Sequence, residues 1–237
     1  IEKAGFTPFS IVQDQQQSFD GYGMVPNTPK SCTGMSMPMA QALAESRNCA
    51  SGFIMKQINP KGNEAAKEFV DYLKKCNIQT EIPAYPSIAL GSAEISLFEM
   101  VQAYTMFPGG GYNAQPFFIN RIEDKNGNVI QQFTPKKRPA MSEEHAYLMT
   151  YMLRGGFEEE SGTSQGVPWT LREGNELGGK TGTTQNASDG WYMGISKDLV
   201  SGTWVGGDDR AIHFRSWSAG QGSKTARPIW PALQLRK

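Results

Sequence analysis

Three runs of strand-type sequence follow one another late in this chain: Leu177 to Thr184, Gly190 to Ser196 and Val200 to Gly206. Only short Asn-, Asp- and Gly-containing turns separate them, so the three are expected to lie side by side as an antiparallel sheet. Most of what precedes them carries a helical pattern, and the fold class expected is α/β (α+β), a small antiparallel sheet beside a helical lobe.

The helical segments are read from periodicity and punctuation. Residues 1–35 are rich in Gln, Gly, Pro, Asn and Ser and read as irregular, short extended pieces. From Ser36 a helix is expected, with Pro38 near its start, Met39, Leu43 and Ala44 on one face, and Ser46 at its end. A second short helix spans Cys49 to Ile58 and is stopped by Pro60 and Gly62. Asn63 is expected to cap a third, in which Ala66, Phe69, Val70 and Leu73 recur at helical spacing, with Asn77 as its C-terminal cap. Ser96-Leu97-Phe98-Glu99 is a capping box, serine at the N-cap and glutamate three residues on, and the helix it opens ends before Pro108. Phe117–Glu123 and Val129–Phe133 read as a protruding hairpin, because Asn126-Gly127 supplies the positive φ of a tight turn. Ser142 opens a helix carrying Ala146, Leu148, Met149 and Met152, which Gly155-Gly156 is expected to end after Arg154. A last amphipathic helix is expected near Ala226 to Leu235. With no internal repeat and no low-complexity linker, residues 1–237 are expected to form one domain.

Composition removes several function classes. A 38% hydrophobic, 19% charged chain can bury an ordinary globular core. Its 23 basic and 23 acidic residues cancel, which leaves no electrostatic footprint for nucleic acid or an anionic membrane surface. No stretch approaches the roughly 18 continuous apolar residues of a membrane span. The chain opens at Ile1 rather than Met, as expected of an excised or processed piece. Cys32, Cys49 and Cys76 lack a C-x-x-C spacing and there are only two histidines, His145 and His213, so neither a metal nor another cofactor is expected. A Cys32–Cys49 disulfide is open to the chain outside the cytoplasm, but three separate thiols is the expected state. The histidines have no evident partners, so a Ser-His-Asp site is unsupported and both are read as surface or structural.

Two short motifs carry the chemistry. Acyl transfer on a peptide needs an activated hydroxyl, a proton relay to the leaving amine and donors aimed at the developing oxyanion. A Ser/Lys site supplies this without histidine. Lys180 with Thr181, Gly182, Thr183 and Thr184 on an edge strand offers an ammonium and hydroxyls to a carboxylate, and Gly182 leaves room for close backbone approach. Ser46-Arg47-Asn48 sits at a helix end, where Ser and Asn more often satisfy free carbonyls. Each tripeptide is weak alone; their order, S-x-N on a helix junction upstream and K-T-G on a strand downstream, is what joins them. A rival motif overlaps: Gly174 to Thr181 matches the phosphate-loop pattern G-x-x-x-x-G-K-[ST], yet Pro168–Glu173 before it is no apolar strand and Gly182–Gly190 after it is no helix. Trp191 is assigned to the rim of the site, while Trp204, Trp217 and Trp230 more simply fill core volume.

The run Ala42-Leu43-Ala44-Glu45-Ser46-Arg47-Asn48 resembles the S-x-N region of class A, bifunctional penicillin-binding proteins, the transglycosylase–transpeptidases of bacterial cell-wall synthesis. Other family-like stretches follow in the same order: Tyr85–Gly91 leading into Leu97–Met100, Lys180–Thr184, Asp189–Tyr192, Trp204–Asp209 and Ala226–Trp230. The resemblance implies a β-lactamase-like transpeptidase fold, a serine acyl-enzyme, stem peptide ending in D-Ala-D-Ala and β-lactams as ligands, and an extracytoplasmic, periplasmic-side location with a membrane anchor elsewhere in the parent. It implies that Ser46 relays a proton and Asn48 holds the peptide backbone. Lys180, Thr181 and Thr183 would bind the terminal carboxylate, and the Thr183 N–H would serve the oxyanion hole. The family's nucleophile motif, Ser-x-x-Lys, is absent, since no serine here has lysine three positions later. Text like Gly5-Phe6-Thr7-Pro8 follows that motif in the family, so the domain is expected to be incomplete, without its nucleophile helix and first strands, and inactive alone. A rival of another class is a non-catalytic peptide-binding module that keeps the groove without the nucleophile.

Overall fold

The computed structural model describes residues 1–26, 32–59 and 61–235, without the side chains of residues 62 and 63. Its sheet holds β9 (Gly178–Thr183), β10 (Asp189–Ile195) and β11 (Val200–Gly206) in the order β11-β10-β9, all antiparallel. The register sets Lys180 opposite Met193, Thr181 opposite Tyr192 and Gly182 opposite Trp191. Because side chains alternate between sheet faces, Lys180, Gly182 and Trp191 share one face while Thr181 and Tyr192 share the other. No strand pairs with the outer edge of β9 among the described residues.

The helical lobe begins with β1 (Ile11–Gln13), β2 (Gln17–Phe19), β3 (Gly23–Val25) and β4 (Ser36–Pro38), paired as two short ribbons, β1 with β4 and β2 with β3. Helices α1 (Met39–Ala44), α2 (Asn48–Ile58) and α3 (Gly62–Lys75) follow. Pro38 is the N-cap of α1, as expected. The Pro60 stop lies outside the described residues. Helix α3 starts at Gly62 rather than behind Asn63, because the Lys61 carbonyl already accepts the N–H groups of Glu64 and Ala65 while Asn59 Oδ1 accepts the Lys61 N–H. Its far end is as expected, with Asn77 at φ 65°.

Helix α4 (Leu97–Tyr104) opens with the full capping box. Glu99 also accepts the N–H groups of Gln79 and Thr80 and the Thr80 hydroxyl, tying α4 to the exit of α3. Burial pushes the Glu99 carboxyl up, but these bonds outweigh it and hold the pKa at about 2. Beyond it, β5 (Tyr112–Ala114) pairs with β8 (Lys137–Pro139), and β6 (Arg121–Glu123) with β7 (Val129–Gln132) in an exposed hairpin turned by Gly127 at φ 84°.

Helix α5 (Glu143–Glu158) corrects the sequence reading: it runs straight through Gly155-Gly156. The glycines serve packing. A Cβ at Gly155 would lie 3.3 Å from Ala44 Cβ of α1, and one at Gly156 2.9 Å from the Gly179 carbonyl of β9. Contact with neighbours on both sides outweighs the roughly 1 kcal/mol helix cost of glycine. Short helices α6 (Trp169–Arg172), α7 (Trp217–Gly220) and α8 (Trp230–Gln234) complete the chain, α8 preceded by a 3₁₀ turn at Arg227–Ile229 where one continuous helix was expected. Fully buried Trp230 lies against Gly194 and packs edge-on to Tyr192 at 5.6 Å between ring centres. Truncating it to alanine would cost about 3–5 kcal/mol. No described helix is long and apolar enough to cross a membrane.

Candidate active site

Ser46 and Lys180, 134 positions apart in the sequence, meet. Lys180 Nζ donates to Ser46 Oγ at 2.6 Å and to its own neighbour's carbonyl, Thr181 O, at 2.8 Å. Two packing relations bring them together: α1 lies on α5 through Gly155 and Ala44, and α5 lies on β9 through Gly156 and Gly179. The glycine pair thus sets the distance between the S-x-N turn and the K-T-G strand.

Ser46 sits in the left-handed region, φ 59°, at the end of α1. Its N–H reaches Leu43 O at 3.0 Å and that of Arg47 reaches Ala42 O at 2.9 Å, the paired bonds of a Schellman cap, with serine where glycine is usual. The side chains of Ser46 and Asn48 are exposed, and Asn48, first residue of α2, hydrogen-bonds no described side chain. Among the described residues Lys180 has no carboxylate partner, and burial lowers its pKa to about 8. A lysine poised there, donating to a hydroxyl whose own proton stays free, can pass a proton outward through Ser46.

On β9, the Thr181 hydroxyl has no hydrogen-bond partner among the described residues. Thr183 Oγ1 accepts the Gly222 N–H at 3.0 Å. Gly222 must be glycine there, since a Cβ would run into Gly182 O and Trp191 O. The Thr184 hydroxyl is engaged by Ser188 Oγ (2.9 Å), Asp189 Oδ2 (3.0 Å) and the Asp189 N–H (2.9 Å), and so closes the β9–β10 turn. Trp191 is half-buried on the Lys180 face of the sheet, beside Trp204, whose Nε1 donates to Asp189 Oδ1. Sequence reasoning missed Gly222 and the packing pair Gly155-Gly156; glycines without a motif carry no chemical signal of their own.

The other sequence-stated residues fall elsewhere. Lys180 enters a strand, not a helix N-terminus, which removes the phosphate-loop reading. His145 is tied to Ser142 on the surface of α5, and among the described residues no His, Cys, Asp and Glu cluster could hold a metal. The cysteine reading is corrected: Cys32 and Cys49 form a disulfide with Cα atoms 5.7 Å apart, leaving buried Cys76 as the free thiol. Residues 32–35, just ahead of β4, lie alongside the end of β1 and the start of α2, a proximity that a 17-residue spacing does not reveal.

Known proteins share this fold. The crystal structure of Penicillin-Binding Protein 1A from Haemophilus influenzae superposes with a TM-score of 0.80 at 25% identity, over 98% of this chain and 39% of that one. The PonA1 protein of Mycobacterium tuberculosis, solved in complex with penicillin V, gives 0.76 at 21% identity, over 97% of this chain and 63% of its own. The fold is therefore the mixed α/β fold of transpeptidase domains. Penicillin-binding protein 1A of Neisseria gonorrhoeae is 30% identical over 239 aligned residues, 95% of this chain and 28% of that protein, so the chain spans under a third of this curated relative. The family model "Penicillin binding protein transpeptidase domain" matches residues 6–207, and the chain belongs to that family.

Proposed function

We propose that this chain is the substrate-gripping part of a peptidoglycan D,D-transpeptidase that cross-links stem peptides through a serine acyl-enzyme and is acylated by β-lactams. The Lys180–Ser46 hydrogen bond carries the reading, because it joins two motifs far apart in sequence into one proton path. In this scheme Lys180 and Ser46 move the proton to the leaving amine and the Asn48 amide holds the stem-peptide backbone. The unpaired edge of β9 receives the peptide as an added strand. Thr181, Gly182 and Thr183 receive the terminal carboxylate of D-Ala-D-Ala or of the antibiotic, the Thr183 N–H serves the oxyanion, and Thr184 and Trp191 form the rim. No serine of the printed sequence is followed three residues later by lysine, so the attacking Ser-x-x-Lys belongs to a part of the parent protein outside residues 1–237, which make up an incomplete domain. The Cys32–Cys49 disulfide supports an extracytoplasmic site, and the parent would reach the membrane through a separate anchor.

Labelling with a fluorescent penicillin tests this. The 237-residue chain should stay unlabelled, and the longer protein that carries Ser-x-x-Lys should label. There, Lys180→Ala should lower the acylation rate about 10²-fold, the scale for removing one preorganised electrostatic group. Labelling of the short chain, or undiminished acylation of Lys180→Ala, would overturn the assignment. A longer protein that binds stem peptide yet never labels would be a peptide-binding module instead.

A further inference from the structure

The middle residue of the S-x-N turn faces away from the site. Arg47, at φ −76° and ψ 107° between left-handed Ser46 and the first residue of α2, turns its guanidinium to Glu45 and Asp14 rather than to Lys180. Its Nη2 and Nε reach Glu45 Oε2 at 2.7 and 2.8 Å, and its Nη1 lies 3.9 Å from Asp14 Oδ2. Asp14 is wholly buried. Its Oδ2 accepts the Thr33 N–H at 3.0 Å and the Thr33 hydroxyl at 2.8 Å, while Oδ1 is buried without a hydrogen-bond partner among the described residues. Thr33 follows Cys32, and Cys32 is joined to Cys49, the residue after Asn48. The path from Cys32 through Thr33, Asp14, Arg47 and Asn48 to Cys49 and back across the disulfide is a closed ring behind the turn.

We infer that Asp14, Arg47 and the Cys32–Cys49 disulfide form a clasp that aims Ser46 and Asn48 at Lys180 and the β9 edge, so that Arg47 and Asp14 are positioning residues and alignment of the site depends on the oxidised bond. A serine at φ 59° resists its backbone conformation, and a Schellman cap is ordinarily secured by an apolar contact between the residue after the left-handed one and the helix. Here that residue is Arg47, whose guanidinium makes ion pairs with Glu45 and Asp14, and a covalent bond follows at Cys49. Glu45 is kept below the usual carboxylate range first by the Gln41 hydrogen bond, against burial, and then by Arg47, so it stays charged to hold the guanidinium. The inference rests on the transpeptidase reading and adds the means by which the turn is held.

The test uses the full-length protein and the acylation rate with fluorescent penicillin, counted per folded molecule by circular dichroism. Arg47→Ala should lower it about tenfold, since displacements near 1 Å cost factors of ten to a hundred in positioned chemistry. Arg47→Lys, which keeps the charge without the two-pronged bond to Glu45, should recover part of the rate. Dithiothreitol should act similarly: its two thiols pass two electrons and two protons to the disulfide, giving Cys32 and Cys49 thiols and the reagent's own cyclic disulfide. Reoxidation should restore the rate. The Cys32→Ser/Cys49→Ser protein should be slow from the start and indifferent to reductant. Should Arg47→Ala fail to fold, reduced wild-type protein still decides. Wild-type acylation per folded molecule after reduction overturns the clasp. If Lys180→Ala is slow in the same assay the transpeptidase reading survives that loss, and if Lys180→Ala is also unaffected the reading itself falls.

Discussion

Helices α1 and α3 end in the same backbone motif and use it for different purposes. Each closes with paired bonds around a non-glycine residue in the left-handed region, Ser46 at φ 59° and Asn77 at φ 65°. At α3 most of the closure is local: Ile78, the residue after Asn77, is buried in the same core cluster as Leu73; Lys74 and Lys75 in the last turn face the negative end of the helix dipole; and from outside, Asn113 Nδ2 donates to the C-cap carbonyl of Cys76 at 3.0 Å. At α1 none of this is local. The last turn has no basic residue, the residue after Ser46 is an arginine whose guanidinium is paired with Glu45 and Asp14, and Lys180 from the sheet is the cation on the Ser46 hydroxyl. One cap is closed mainly by its own sequence, with one hydrogen bond from β5; the other is assembled from β1, the Cys32 loop and β9. A helix terminus that needs three distant segments to complete it is a place where function, not helix stability, selects the residue.

The largest effect separating the two caps is catalytic. In the full-length protein, Ser46→Ala should reduce penicillin acylation by about 10²-fold or more, the ordinary contribution of a positioned proton-transfer group. Asn77→Ala should leave the rate per folded molecule unchanged. Equal losses at both sites would mean that Ser46 acts only as a cap.

Next comes pH, where the two ends respond at opposite extremes. Lys180 has a folded pKa of about 8 against an ordinary 10.5, so the cost of burying its charge is in force below 8 and is relieved as pH rises to 10.5. At this group the unfolded state binds more protons across that window, so its contribution to stability climbs with pH. Glu99, which stitches the exit of α3, has the reverse sign: folded about 2 against 4.5, its contribution is in force above 4.5 and is lost as pH falls toward 2. The buried Cys76 thiol, pushed up to about 11, pulls stability the other way above pH 9, so the Lys180 contribution is read as a difference: urea midpoints of wild type minus Lys180→Met should rise from pH 8 toward 10.5, and the acid fall should be blunted in Glu99→Gln. A difference that falls over pH 8 to 10.5 would contradict the burial of Lys180.

Backbone strain gives a smaller and shared effect. At either position glycine should be more stable than alanine by about 1 kcal/mol, since only alanine has a Cβ that opposes positive φ. Comparing Ser46→Gly with Ser46→Ala, and Asn77→Gly with Asn77→Ala, cancels the lost side-chain bonds. An alanine as stable as glycine at Ser46 would show that the turn is not left-handed there.

These caps also mark what the sequence could disclose. Asn77 was legible because asparagine tolerates the left-handed region and follows a clean apolar period. The capping box at Ser96, the antiparallel strands and the two motifs were legible for the same reason: each is a local pattern with a local cause. Gly155-Gly156 misled because glycine ends a helix or admits a neighbour, and only the approach of Ala44 and Gly179 decides between these. The disulfide and the Asp14–Arg47 pair were hidden because they depend on where a loop returns. The left-handed Ser46 was hidden too, since its cap is held by segments far from it in sequence.

The smallest effect tests whether the α3 cap is as independent as its geometry suggests. Lys74 and Asp71 pair at 3.3 Å with both side chains more than half exposed. Exposed pairs of this spacing are worth about 0.3–0.5 kcal/mol and are screened by salt. Lys74→Ala should therefore shift the urea midpoint barely beyond error at low salt and not at all in molar salt, with acylation untouched. A loss above about 1 kcal/mol would mean that α3, like α1, relies on a cation for its closure, and the contrast between the two helix ends would collapse to one of degree.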